Sequence, residues 1–157
     1  MDITCGSVAD TLRVGRVIAQ YLKAGDIICL YGGLGAGKTV LSKGIASGLG
    51  IQKEEVISPT FVLIRQYHAS LTLNHFDLYR LNEPREIAVL GYEEYLYSDG
   101  VSVIEWAERL GSLTPREFLK VELRISGAQE GRLIKLTALG KRYEELLTRV
   151  NRKLKSS

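Results

Sequence analysis

Hydrophobic positions along this chain follow two rhythms. Between residues 7 and 24 the apolar residues Leu12, Val14, Val17, Ile18, Tyr21 and Leu22 recur at roughly helical spacing. Ser7 and Asp10 stand in S-x-x-D spacing, an acidic variant of the capping box, and Gly25 can close the far end. The run DIICLY that follows is apolar on both faces, as a central parallel strand must be. A glycine-rich stretch, GGLGAGKT, then leads into VLSKGIASGLG, which reads as a helix stopped by Gly50. Gly44 and Gly48 leave one face of that helix almost bare, which suits close packing against a sheet.

Beyond Pro59 the strand rhythm dominates. FVLIRQY (61–67) and LTLNHFD (71–77) form an expected hairpin across a short HAS connection. Pro84 fits the first turn of a helix reaching about Leu90, and YEEYLYSD is a second, shorter piece. VSVIEW (101–106) is a further strand, and KVELRIS and RLIKLTA make a second hairpin around GAQEG. The last element is an amphipathic helix over about 140–155, with a docking stripe of Tyr143, Leu146, Leu147, Val150 and Leu154. Crossover and hairpin connections together predict an α/β class with a mixed parallel and antiparallel central sheet.

Composition adds little to this. With 157 residues, 45% apolar and 25% charged, one compact globular domain over 1–157 is expected. No apolar run approaches the roughly 18 residues of a membrane span. The first ten residues have no basic and apolar halves of a secretory signal. Cys5 and Cys29 make neither a disulfide framework nor a metal quartet, and Cys29 sits inside an apolar run. A reduced, cytoplasmic setting is the expectation. Charge is uneven: residues 141–155 carry six Lys/Arg against two Glu, so the basic excess lies entirely in the final helix. Those cations could meet nucleic-acid phosphates or an acidic surface on a partner, but a docked helix with cations at its C-terminus accounts for them.

The chemistry is in the glycine-rich stretch. Gly32, Gly37, Lys38 and Thr39 match G-x-x-x-x-G-K-[ST], between a buried strand and a helix. Glycines let backbone N–H groups turn inward around phosphates, and the helix N-terminus adds partial positive charge. Lys38 is placed to reach the β- and γ-phosphates and the Thr39 hydroxyl to take a Mg²⁺ position. No N-K-x-D or D-x-x-G string accompanies the loop, so ATP is favoured over GTP. Two acids end neighbouring strands, Asp77 and Glu105, and either could hold metal or orient the attacking water. Trp106 fits core packing or a cover over the nucleotide, His75 a hydrogen-bonded structural histidine, and Arg80 a salt bridge or a transition-state cation. A small-molecule kinase is the alternative. However, Lys43, Lys53, Arg65, Arg80 and Arg85 are the only cations between the loop and residue 100, too few for a lid.

Four strings occur in order: LYGGLGAGKT, SPTF at 58–61, HFDLYRL at 75–81 and IEWAE at 104–108. Together they resemble the bacterial TsaE (YjeE) family of ATPases over about Thr11 to Arg132, most of the chain. The resemblance implies a P-loop NTPase-like three-layer fold. It also implies an ATP-binding, Mg²⁺-dependent ATPase serving the synthesis of threonylcarbamoyladenosine next to the anticodon of tRNAs that read codons beginning with A. Its implied partners are the TsaD and TsaB proteins, whose turnover it supports. Residue by residue, it implies nucleotide contacts from Gly33, Leu34, Gly35, Ala36, Gly37, Lys38, Thr39 and Val40, with Thr11 and Arg132 also near the nucleotide. It implies a magnesium site at Thr39 and Glu105, and catalytic roles for Lys38, Asp77, Glu105 and the switch-like Thr60. One departure is Ala107, where the family commonly has proline after the tryptophan. Alanine leaves φ free there, so a more flexible loop is expected.

Overall fold

The computed structural model describes residues 1–52, 54–57, 63–127 and 129–156. Seven strands form one sheet in the order β1-β7-β6-β2-β5-β4-β3. They are β1 Asp2–Cys5, β2 Ile27–Tyr31, β3 Ile64–Tyr67, β4 Leu73–Asp77, β5 Val101–Glu105, β6 Phe118–Ile125 and β7 Arg132–Leu139. The four central strands β6, β2, β5 and β4 run parallel, and β7, β1 and β3 join antiparallel at the two edges. The mixed sheet expected from the sequence is thus present, and both expected hairpins form.

Alternation along β2 decides the layers. Ile28 and Leu30 face helices α1 (Val8–Ala19) and α2 (Lys38–Gly48), while Ile27 and Cys29 face the opposite side. The first side also carries α5 (Lys141–Lys155). The second is covered by α3 (Pro84–Val89), α4 (Tyr92–Leu96) and a 3-10 segment over Ala107–Leu113. Apolar residues on both faces explain why β2 reads as an unbroken hydrophobic run. Cys5 and Cys29 are buried free thiols.

Several boundaries differ from the sequence reading. β1 has no counterpart in it: four residues become a strand because β7 offers an edge, pairing Ile3 with Ile134. The first helix begins as expected, with Ser7 Oγ accepting from the Asp10 backbone N–H at 3.1 Å. It ends at Ala19 rather than near 24, and two tight turns carry the chain on. Leu22 stays buried although it has left the helix, so the apolar stripe outruns the element. The strand expected over 61–67 is described from Ile64 onward, and Phe61 and Val62 lie outside the described residues.

The bare face of α2 packs against a helix and not against the sheet. A Cβ on Gly44 would sit 2.5 Å from the Leu12 carbonyl oxygen, and one on Gly15 would sit 2.8 Å from Gly44 Cα. A Cβ on Gly48 would collide with Ala19 Cβ. Gly15 of α1 is therefore the partner of Gly44, and the two backbones touch.

The final helix docks as its stripe predicts, burying Tyr143, Leu146 and Val150, with Arg152, Lys153 and Lys155 in the last turn. Its first turn also braces the start of β2. The Ile27 N–H donates to Tyr143 Oη at 2.8 Å, and Arg142 grips the buried Asp26 carboxylate through Nε at 3.0 Å. Burial pushes the Tyr143 phenol up to about 12. No helix among the described residues is long and apolar enough to cross a membrane.

The α1–α2 contact gives a signed expectation. Gly44→Ala gains about 1 kcal/mol of helix propensity. It must then displace main-chain atoms of α1, and overpacking of that kind costs about 1–3 kcal/mol. Because the obstructing atoms are backbone, the second effect wins. Thermal unfolding of Gly44→Ala should show a lowered Tm, and a raised one would show that the helices separate freely.

Candidate functional site

Parallel register brings the site together. Leu30 of β2 lies opposite Glu105 of β5, and Glu105 lies opposite Asp77 of β4. The C-terminal ends of three adjacent strands thus deliver the glycine-rich loop and both acids to one edge of the sheet. That is where parallel α/β sheets bind ligands. The strands are fully buried up to these acids, so Asp77 (3% exposed) and Glu105 (2%) are held in the protein rather than in solvent.

The loop between β2 and α2 turns on its glycines. Gly32, Gly35 and Gly37 have φ of 153°, 74° and 105°, which side chains other than glycine rarely adopt. At Gly32 there is no room either, since a Cβ would lie 2.6 Å from the Leu123 carbonyl oxygen. Gly37 caps α2, whose first-turn N–H groups open into a cleft of about 420 Å³. The loop from Leu34 to Val40 forms one wall, and Asp77, Tyr79, Glu105, Trp106 and Arg132 complete it.

Within the cleft Lys38 Nζ donates to the carbonyls of Gly32 at 2.5 Å and Gly33 at 2.8 Å. The same ammonium lies 3.8 Å from the centre of the Trp106 ring, which stacks at 4.8 Å on Tyr79. Trp106 is thus half-buried, packed against the second hydrophobic cluster and also lying over the lysine. It adopts the left-handed region at φ 59°, an uncommon conformation for a bulky side chain. Burial pulls the Lys38 ammonium below the ordinary lysine range, against the opposing pull of Glu105, Glu108 and Asp77.

Glu105 is the hub. Thr39 Oγ1 donates to its Oε2 at 2.9 Å, and Ser42 Oγ lies 3.0 Å and His75 Nε2 2.7 Å from its Oε1. Asp77 does different work. Its Oδ1 accepts from the Tyr79 N–H at 3.0 Å and so shapes the turn after β4 beside the cleft.

Arg132 opens β7, and its guanidinium reaches the Gly35 carbonyl at 3.0 Å, with Nε beside Gly37. Thr11 stands apart. It is buried on α1, its hydroxyl 3.4 Å from the Ser7 carbonyl oxygen, and it does not line the cleft. Thr60 lies outside the described residues. Ala107 is fully buried in the same apolar cluster as Ile104 and Leu110. Arg80 is exposed. Ser42 is the residue that sequence reasoning missed. Its one signal was its place a turn after Lys38, on the helix face that meets the sheet.

Among the described residues no three His, Cys, Asp or Glu side chains gather as a metal cage. One hydroxyl and one carboxylate side by side still suit magnesium, a hard cation that keeps several waters and takes few protein oxygens. The Thr39 oxygen keeps lone pairs free while its proton points at Glu105.

A central parallel sheet, a phosphate-type loop and strand-end acids define a P-loop NTPase-like α/β protein. The chain belongs to the TsaE family: residues 5–134 match the family model described as threonylcarbamoyl adenosine biosynthesis protein TsaE. Similar proteins include the tRNA threonylcarbamoyladenosine biosynthesis protein TsaE of Treponema pallidum, 46% identical over 119 residues, or 76% of this chain and 87% of that one. The Bacillus subtilis protein of the same name is 40% identical over 144 residues, covering 91% and 89%. The crystal structure of Bacillus subtilis YdiB superposes with a TM-score of 0.85 at 33% identity, covering 98% of this chain and 95% of that one.

The lysine's environment sets a pH dependence. The unfolded chain keeps its lysine proton to about 10.4. Folded Lys38 releases it earlier, so across that window the unfolded state binds more protons and stability rises with pH. Urea unfolding from neutrality upward should show wild-type stability gaining on Lys38→Met through this window. A pH-independent difference would mean that Lys38 is not desolvated.

Proposed function

We propose that this protein is a Mg²⁺-dependent ATPase acting with the TsaD and TsaB proteins in tRNA threonylcarbamoyladenosine synthesis. The observation that carries the reading is the 2.9 Å bond from Thr39 to Glu105, which ties the phosphate loop to the acid ending β5 inside one cleft. Membership of the TsaE family supports the pathway.

On this reading the loop from Gly33 to Val40 cradles the phosphates of ATP, and the N-terminus of α2 directs partial positive charge at them. Lys38 exchanges its two carbonyl partners for β- and γ-phosphate oxygens. The Trp106 ring on its other side keeps it from swinging away. Arg132, already on the loop, adds a second cation at the rim. Thr39 and Glu105 would hold magnesium, which supplies charge neutralisation across the transferring phosphoryl group. Glu105, and Asp77 beside it in the register, are the carboxylates able to orient a water for attack. The Trp106 ring, in contact with Tyr79, forms one side of the cleft beside Lys38.

The test is hydrolysis by the protein alone and with TsaD, TsaB and tRNA added, alongside the yield of threonylcarbamoyladenosine. Hydrolysis should rise with the partners, and multi-turnover product should depend on this chain. Equal product without it would sink the reading. Within the site, Lys38→Ala should lose nucleotide affinity by roughly 10²-fold. Glu105→Ala should retain metal-free nucleotide binding and lose hydrolysis by roughly 10²-fold. An unchanged rate in Glu105→Ala would remove that residue from the mechanism.

A further inference from the structure

Two polar residues beneath the cleft have no task in the mechanism so far. Ser42 is 1% exposed and His75 is fully buried, and both meet the same oxygen, Oε1 of Glu105. We infer that Ser42 and His75 are positioning residues that lock Oε1 in place, so that Glu105 offers only Oε2 to the metal side of the cleft. The inference rests on the proposed role of Glu105 at the metal.

A carboxylate oxygen only accepts, so His75 must carry its proton on Nε2. Its Nδ1 is buried and has no hydrogen-bond partner among the described residues. An apolar side chain in that space would leave no orphaned polar atom and pay no desolvation penalty. The ring thus occupies its place despite an orphaned nitrogen that an apolar side chain would not carry. What it does supply is direction: a 2.7 Å bond that fixes one carboxylate oxygen.

Ser42 is a contested donor. Its single hydroxyl proton stands 3.0 Å from Glu105 Oε1 and 3.0 Å from the Lys38 carbonyl oxygen. The charged carboxylate is the stronger acceptor, so the proton favours Glu105. The hydroxyl then ties α2 to β5 one turn below the bond that Thr39 makes with Oε2. With three donors on two oxygens, the carboxylate plane cannot rotate. A carboxylate released from Oε1 could turn both oxygens toward the cleft and lose its single-oxygen geometry.

The experiment separates metal binding from nucleotide binding. A non-hydrolysable ATP analogue is titrated into wild type, Ser42→Ala, His75→Leu and His75→Gln in EDTA. Mn²⁺ is then titrated into each loaded protein and followed by its electron paramagnetic resonance signal. Losing an outer partner of a metal ligand typically costs roughly 10–100-fold in metal affinity. That loss is expected for Ser42→Ala and His75→Leu, with analogue affinity in EDTA unchanged. Gln places an amide N–H near the position of Nε2, so His75→Gln should recover most of the Mn²⁺ affinity. The inference is overturned if Mn²⁺ affinity is unchanged in Ser42→Ala and His75→Leu. It is equally overturned if affinity in EDTA falls by the same factor, since that marks a general structural role. Should His75→Leu fail to fold, Ser42→Ala and His75→Gln decide. Equal Mn²⁺ binding by wild type and Glu105→Ala would instead overturn the metal-site reading itself.

Discussion

A carboxylate removed from water must be met by hydrogen-bond donors, and the site is organised around that requirement. Glu105, on β5, is 2% exposed, and its partners come from two other elements: Thr39 and Ser42 from α2 and His75 from β4. Each donor exists where it does because of the parallel register β2-β5-β4. A one-residue slip of β5 would point Glu105 at the opposite face, into the apolar cluster of Cys29, Phe76 and Leu110. The carboxylate therefore specifies register as well as chemistry.

The helix layer answers to the same constraint. Ser42 and Thr39 reach Glu105 only if α2 lies close over the sheet. α2 is pinned there by α1, where Gly15 and Gly44 let the backbones touch. α5 in turn fixes the start of β2 through Tyr143 and Arg142. Elements far apart in sequence thus share in setting the distance from Thr39 to Glu105.

Much of this was legible from residues alone. IICLY and VSVIE are short runs with apolar residues on both faces, and only a central parallel strand buries both. GGLGAGKT announced its turn because Gly32, Gly35 and Gly37 each take a positive φ that other residues rarely adopt. What the sequence could not carry was partnership. DITC is four residues with no turn signal, and it becomes β1 only because β7 presents an open edge. Gly44 and Gly48 announced a close approach but pointed to the sheet rather than to α1, and Gly15 gave no sign of being its other half. Ser42 looks like any polar residue on a helix until β5 is placed beneath it. His75 was legible as a hydrogen-bonded histidine, while the identity of its partner waited for the register.

The position of Lys38 bears on how the cleft meets a ligand. Its ammonium is already enclosed by two carbonyls and an aromatic face, so most of its desolvation has been met by folding. On the proposed reading, an arriving phosphate replaces neutral carbonyl oxygens with charged ones, and a desolvated ammonium gains more from that exchange than a hydrated one. Gly32, Gly35 and Gly37 hold the positive-φ conformations that shape the loop around that lysine. Binding then has little water to strip from the lysine, so more of the interaction energy appears as affinity. The strained backbone of Trp106 belongs to the same arrangement. A relaxed conformation would carry the ring off Lys38 and leave the ammonium free to hydrate, which ties the left-handed turn to the lysine's desolvation.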